Sequence, residues 1–259
     1  MLGLFDSGLG GLTVVRRVRE LLPQHDLVFF ADQAHVPYGD RPARELRRLL
    51  AHNLAFLDTA GADAIVMACN TSCAIADEFG WPRTRGLAID LIESAAMAVE
   101  LTGYRKIGVI ATTFTAQSGA YGRKIRQRVP GARVTEIAAP ALVPLVESGG
   151  AGTPRAAQAV AEACAAFPGD MEAVVLACTH FPLLDEHFAA TLGVGVSRID
   201  PALVQAVRTA QLASDRGYQP GRGLTRYITN GELGAFRVNV LANSADPSGA
   251  IEALEPIVL

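Results

Sequence analysis

Two stretches of this 259-residue chain end in a cysteine followed by hydrogen-bonding side chains. Val174-Val175-Leu176-Ala177 runs into Cys178-Thr179-His180, and Ile65-Val66-Met67-Ala68 runs into Cys69-Asn70-Thr71. Each reads as a buried strand handing over to a helix, where the helix N-terminus favours negative charge and can lower a thiol pKa. Opposed thiols suit the inversion of a carbon centre, where one removes a proton while the other supplies a proton to the opposite face. The plainer reading is a pair of small hydrophobes at strand ends. The polar residues just after both cysteines speak against it, since a core strand would stay apolar. A cysteine hydrolase with one thiol, one His and an oxyanion hole would leave the second Ala-Cys strand end unexplained. A non-catalytic binding protein would need neither thiol.

Other groups share these strand ends. Ser7, Asn70, Thr71, Thr112, Thr115 and Thr179 are uncharged hydrogen-bonding residues near helix starts, where free backbone amides bind carboxylates without any Arg. Ordinary N-capping is the alternative for the Ser and Thr residues. Asp6, beside glycines at a strand end, is a turn residue or a partner for an ammonium group. His180 is placed to orient or protonate the nearby thiol. His25, His35, His52 and His187 have no such company, and Arg41 to Arg48 reads as a solvated helix face. The only lysines, Lys106 and Lys124, are poorly placed for a Schiff base with pyridoxal phosphate. Ser7-Gly8-Leu9-Gly10-Gly11 has neither the ending of a phosphate loop nor the spacing of a dinucleotide loop.

The elements that must position these residues alternate. Strands are expected at 2–6, 27–31, 64–69, 85–89, 107–111, 133–138, 173–178, 196–199 and 226–229. Helices are expected at 12–22, 42–60, 71–79, 91–102, 116–128, 142–147, 154–167 and 201–214. In the clearest helix, Leu46, Leu49, Leu50, Leu54 and Leu57 share one face. Cys164 shares a face with Val160 and Phe167 and reads as core. The rhythm predicts parallel α/β sheets with helices on both sides and ligands at the carboxyl ends of the strands. Leu2–Gly8 also echoes Ile107–Thr113. Together the echoes predict two similar α/β halves facing each other, each giving one cysteine to a shared cleft.

Half of the residues are hydrophobic and 19% are charged, enough for a sizeable core. A net charge of −3 gives no footprint for nucleic acid. No apolar run is long enough to cross a membrane and no secretory signal is visible, so a cytoplasmic protein is expected. The four cysteines lack a zinc-like spacing, so no metal is expected.

The motifs taken in order resemble glutamate racemase, of the cofactor-independent aspartate/glutamate racemase superfamily. The resemblance rests on Phe5-Asp6-Ser7-Gly8-Leu9-Gly10-Gly11-Leu12-Thr13-Val14, Val36-Pro37-Tyr38-Gly39 and Ala68-Cys69-Asn70-Thr71. It continues through Ile107–Tyr121, Val143-Pro144-Leu145-Val146-Glu147 and Cys178-Thr179-His180-Phe181-Pro182-Leu183-Leu184. It implies interconversion of L- and D-glutamate without a cofactor, supplying D-glutamate for the bacterial cell wall. It implies Cys69 and Cys178 as the bases, Cys69 acting on D-glutamate and Cys178 on L-glutamate, with Asp6, Glu147 and His180 in support. It places substrate contacts on Asp6, Ser7, Tyr38, Gly39, Asn70, Thr71, Thr112, Thr115, Thr179 and His180. It implies one α/β domain from 1–92 plus 209–259 and a second from 93–208; many members are homodimers. The chain departs from the pattern at Gln33, His35, Cys73, Ala138 and residues 86–94, and little resemblance remains past about 215. Phe114 stands where the family commonly has Gly; a bulky side chain near the cleft would favour a shorter substrate such as aspartate.

Overall fold

The computed structural model describes residues 1–244 and 249–254. The chain runs β1 (Leu2–Asp6), α1 (Gly11–Leu21), β2 (Leu27–Ala31), α2 (Ala43–Thr59), β3 (Ala64–Met67), α3 (Asn70–Phe79), β4 (Leu87–Ile89) and α4 (Leu91–Thr102). It continues β5 (Lys106–Ala111), α5 (Thr113–Ser118), α6 (Ala120–Arg128), β6 (Arg133–Ala138), α7 (Leu142–Glu147), α8 (Pro154–Cys164), β7 (Ala173–Ala177), α9 (Asp185–Leu192) and β8 (Ser197–Ile199). It ends with α10 (Pro201–Asp215), β9 (Thr225–Thr229), α11 (Leu233–Asn243) and β10 (Ala250–Ala253).

The strands form two sheets, ordered β10-β9-β2-β1-β3-β4 and β6-β5-β7-β8, and every strand pair is parallel. The run β2-β1-β3-β4 in the first sheet repeats as β6-β5-β7-β8 in the second. In both, a cysteine follows the third strand in chain order: Cys69 after β3 and Cys178 after β7. The expected parallel α/β class, with two similar sheets, is the observed one.

Alternation along the strands sorts the core. Val28, Phe30, Ile65 and Met67 join Ile107, Val109 and Val175 in one buried cluster shared by both sheets. Their neighbours Phe29, Ala64 and Val66 face a second cluster, and Ile110, Val174 and Leu176 a third. Strands covered on both faces become continuous apolar runs, which is how these read in the sequence. Cys164 is buried in the third cluster, as its helix face implied.

The structure departs from the sequence expectation in several places, among them a helix, α9, between β7 and β8 and a later start of β4 at Leu87. The helix expected over 116–128 is two helices. Gly119 adopts φ +64°, a left-handed conformation that ends α5 and starts α6. This lets α5 begin directly at the strand end, with Thr112 as its N-cap. Strand β3 stops at Met67, two residues early, because β4 pairs with it only as far as Val66↔Ile89. Helix α8 closes at Cys164. Past 215, α11 and β10 lie outside the expected elements. Helix α11 buries only Phe236 and Val240, and β10 is a half-exposed edge strand reading Ala-Ile-Glu-Ala, so neither shows a clear period.

Arg19 fastens α1 to the first sheet. It is buried and donates to the carbonyls of Leu22, Pro23, His25 and Leu224 and to Thr225 Oγ1. Arg19→Met strips these acceptors of a charged donor and should lower stability by about 3 kcal/mol. A shift of the urea unfolding midpoint to lower concentration checks it; an unchanged midpoint contradicts it.

Candidate active site

Both cysteines are buried at the carboxyl ends of their sheets. Cys69 is the N-cap of α3, in an extended conformation (φ −118°, ψ 113°), and its thiol donates to Ser7 Oγ at 3.5 Å. Burial pushes its pKa up to about 12, and the nearby charge of Asp6 adds to the rise. No cation stands beside this sulfur in any hydrogen bond of the described residues.

Cys178 has different company. His180 Nδ1 lies 3.6 Å from its Sγ, and His180 Nε2 lies 2.5 Å from Glu147 Oε1. Burial by itself would lower the His180 pKa. The hydrogen bonds to Cys178 and Glu147 outweigh it, and the ring is held well above its ordinary value. Glu147 shows the counterpart: burial favours its protonated form, but the His180 bond prevails and its pKa falls. The same carboxylate accepts from Leu9 N at 2.9 Å, which ties the glycine loop after β1 to the end of α7. The loop passes so near that a Cβ on Gly10 would lie 2.5 Å from His180 Nδ1.

Asp6 sits between the two sulfur environments. Its Oδ2 accepts from Gly11 N at 2.5 Å and from Thr179 Oγ1 at 3.2 Å. Its Oδ1 is buried without a partner, as is Asn70 Nδ2. Burial raises the Asp6 pKa to about 6 against the opposing pull of His180. A lone acceptor and a lone donor are what an ammonium and a carboxylate would satisfy. Thr71, Thr112 and Thr115 bond to one another at 3.0 to 3.5 Å where the end of β5 meets the start of α3.

A cavity of about 20 Å³ joins these groups. Every substrate contact expected from the sequence lines it except Thr115, as do Cys69 and Cys178. Thr115 is fully buried behind Thr71 and Thr112 and reaches the cavity only through them. Glu147 likewise stands behind His180. Phe114, expected near the cleft, instead packs against the core cluster shared by the sheets and does not line the cavity. The steric case for a shorter substrate thereby loses its footing. This volume holds about one water, so an amino acid enters only when the walls part. A larger groove of about 440 Å³ between Arg44, Arg48, Phe79 and Trp81 offers no thiol, imidazole or carboxylate.

Several residues of the site escape a reading of the sequence alone. Asp32 is fully buried and holds Tyr38 in place. It also accepts from Asn53 and Asn230 and meets His35 at 2.6 Å, a partner for His35 that the sequence does not show. Asp32 follows β2 just as Asp6 ends β1, so the strand-end rule that finds Asp6 points to it as well. Tyr121 donates to Asn70 Oδ1 and thereby aims the free amide nitrogen. Among the described residues no group of three His, Cys, Asp or Glu could hold a metal ion, and no helix is long and apolar enough to cross a membrane.

The Asp6 environment sets a pH signature. A carboxyl whose pKa rises from 3.8 to about 6 on folding favours the folded state while protonated. That favour is complete below pH 3.8 and is lost as pH climbs through about 6. Asp6→Asn, neutral throughout, should therefore be more stable than the parent above pH 6 by about 3 kcal/mol and equal to it below pH 4. Thermal unfolding between pH 3.5 and 8 checks this; a gap that does not change with pH contradicts it.

Known proteins give this geometry a context. The chain is 42% identical over 247 residues to the glutamate racemase of Desulforudis audaxviator, covering 91% of this chain and 90% of that one. The solved glutamate racemase of Thermus thermophilus, in complex with beta-chloro-D-alanine, superposes with a TM-score of 0.83 at 34% identity, covering 98% of this chain and 96% of that one. The Francisella tularensis glutamate racemase, solved in complex with D-glutamate, gives a TM-score of 0.87 at 26% identity over 98% of this chain and 97% of that one. The Asp/Glu/Hydantoin racemase family matches residues 12–209. The chain belongs to that family and is a racemase.

Proposed function

We propose that this racemase interconverts L- and D-glutamate by a two-base mechanism on Cys69 and Cys178, with no organic cofactor or metal, and supplies D-glutamate for peptidoglycan. The names of the relatives support glutamate as substrate. The observation that carries the mechanism is the contrast between the two sulfurs on one cavity. One has the His180 imidazole 3.6 Å away, itself tied to Glu147; the other is a thiol held neutral by burial and by Asp6, with Ser7 Oγ as its acceptor.

The α-proton of an amino acid is weakly acidic, so its removal needs a placed base and a stabilised carbanion. With L-glutamate bound, the Cys178 thiolate takes the α-proton. The electron pair of the C–H bond stays on carbon as the carbanion, and the Cys69 thiol donates its proton to the opposite face. The product is D-glutamate, with a Cys69 thiolate and a Cys178 thiol. The reverse reaction starts from that state. His180, braced by Glu147, supplies the positive charge that a buried thiolate requires. The substrate ammonium pairs with Asp6 Oδ1, and its carboxylate accepts from Asn70 Nδ2 and the threonine hydroxyls. An ammonium beside Asp6 also offsets the charge that opposes ionisation of Cys69.

We further assign one α/β unit to 1–92 with 209–259 and a second to 93–208, with the substrate closing the cleft between them. Residues 245–248 and 255–259 of the first unit lie outside the described residues.

The purified protein, with no cofactor added and with a chelator present, should convert L-glutamate to the racemic mixture, followed by chiral chromatography. It should prefer glutamate to aspartate. Cys69→Ala and Cys178→Ala should each lower the rate by about 10³-fold or more. Either single variant racemising near the parent rate would contradict the mechanism, and loss of activity with the chelator would contradict the metal-free claim.

A further inference from the structure

Resting on the two-cysteine reading, we propose that Gln205 is a positioning residue for Cys69. It holds the strand end that delivers this thiol and, among the described residues, has no counterpart on the Cys178 side.

Strand β3 runs out of partners before it reaches Cys69. On one side β3 pairs with β1 through Phe5↔Met67, and Ala68 N donates to Phe5 O at 2.8 Å. On the other side pairing with β4 stops at Val66↔Ile89. Beyond Ile89 the chain turns into α4, where the Asp90 side chain caps the helix by accepting from Ile92 N. The carbonyls of Met67 and Ile89 are thus left without a ladder partner at the sheet end, and from its own strand–helix turn Met67 O accepts only a long bond from Cys73 Sγ at 3.8 Å. Gln205 serves both carbonyls. Its Nε2 donates to Met67 O and to Ile89 O, both at 2.9 Å. One side-chain amide thereby adds a rung to the ladder, two residues before Cys69.

Two further observations point to a positioning role. Gln205 is fully buried and its Oε1 has no partner. An apolar residue of similar size would bury no orphan acceptor, so the two donated bonds are what the amide contributes. The residue also sits on α10, which arrives directly from β8 of the second sheet and packs against α1 of the first and against α4, the helix that leads from the first sheet to the second. The grip on the Cys69 strand therefore comes from the segment that returns from the second sheet. Both cysteines are held by their own turns, Cys73 N to Cys69 O and Phe181 N to Cys178 O, each at 3.0 Å, but Cys178 also has the His180–Glu147 pair beside it. Loss of Gln205 should displace one base and spare the other.

The test uses Gln205→Met in the full chain, with Cys69→Ala as reference. In deuterated water a competent Cys178 takes the α-proton of L-glutamate, exchanges it with solvent and returns deuterium to the same face. When Cys69 is misplaced, this return outruns inversion. Gln205→Met should racemise more slowly by about tenfold, since a base displaced by a fraction of an ångström loses rate steeply. The ratio of α-hydrogen wash-out to racemisation should rise for L-glutamate, as in Cys69→Ala, and fall for D-glutamate, where the displaced Cys69 must return the proton in competition with Cys178. A merely structural role would slow both enantiomers by one factor and leave both ratios unmoved, which would overturn the proposal. Amide hydrogen exchange gives a readout independent of activity. The peptide spanning 67–71 should exchange faster in the variant and that spanning 176–180 should not; equal change in both, or in neither, would also overturn it. If the parent protein fails to invert glutamate at all, the functional reading falls and amide exchange alone decides whether Gln205 holds this strand end.

Discussion

A sulfur that must carry charge cannot be buried alone. The cost of taking an ion out of water exceeds any single hydrogen bond, so it needs a matched countercharge close by. In the proposed mechanism His180 supplies that countercharge at Cys178, its pKa raised by its bonds to Cys178 and Glu147. At Cys69 there is no such partner, and burial with Asp6 keeps the thiol neutral. The two sulfurs occupy like positions in like sheets, yet their neighbours differ: an imidazole braced by a carboxylate at Cys178, a serine hydroxyl and Asp6 at Cys69. The proposed two-base mechanism uses that difference, one sulfur serving as base while the other serves as acid.

The fold serves this arrangement in plain ways. Parallel strands bring their carboxyl ends to one edge, and each end hands over to a helix or turn whose amides are free. Repeating the order β2-β1-β3-β4 as β6-β5-β7-β8 puts a cysteine at the same station twice. Close packing then does the fine placement. Glu147 reaches both Leu9 N and His180, Tyr121 aims Asn70, and Gln205 secures the carbonyl two residues before Cys69.

Much of the site was legible in the sequence because its residues lie at strand ends. Apolar runs mark the strands, and a polar residue directly after such a run must face the carboxyl edge. Cys69, Cys178, Asp6, Asn70 and His180 announce themselves by that rule. Glu147 does not: it lies at the far end of the short helix α7, well past the end of β6, and only the family resemblance points to it. Asn53 and Asn230 were illegible because their role depends on tertiary contact with Asp32 across long sequence separations. Phe114 misled because its place between two site threonines pointed it at the cleft, whereas the first turn of α5 directs it into the core. The tail past 215 carries few buried residues, so its helix and edge strand left no periodic trace.

The mechanism requires two bases acting on opposite faces. Its most direct test is the fate of the α-hydrogen when the parent protein turns over L-glutamate in deuterated water, read early by mass spectrometry of the separated enantiomers. Two bases should leave deuterium at the α-carbon of the D-glutamate formed and protium in the L-glutamate that remains. Deuterium appearing equally in both enantiomers from the start would mean that one base serves both faces, and would contradict the mechanism.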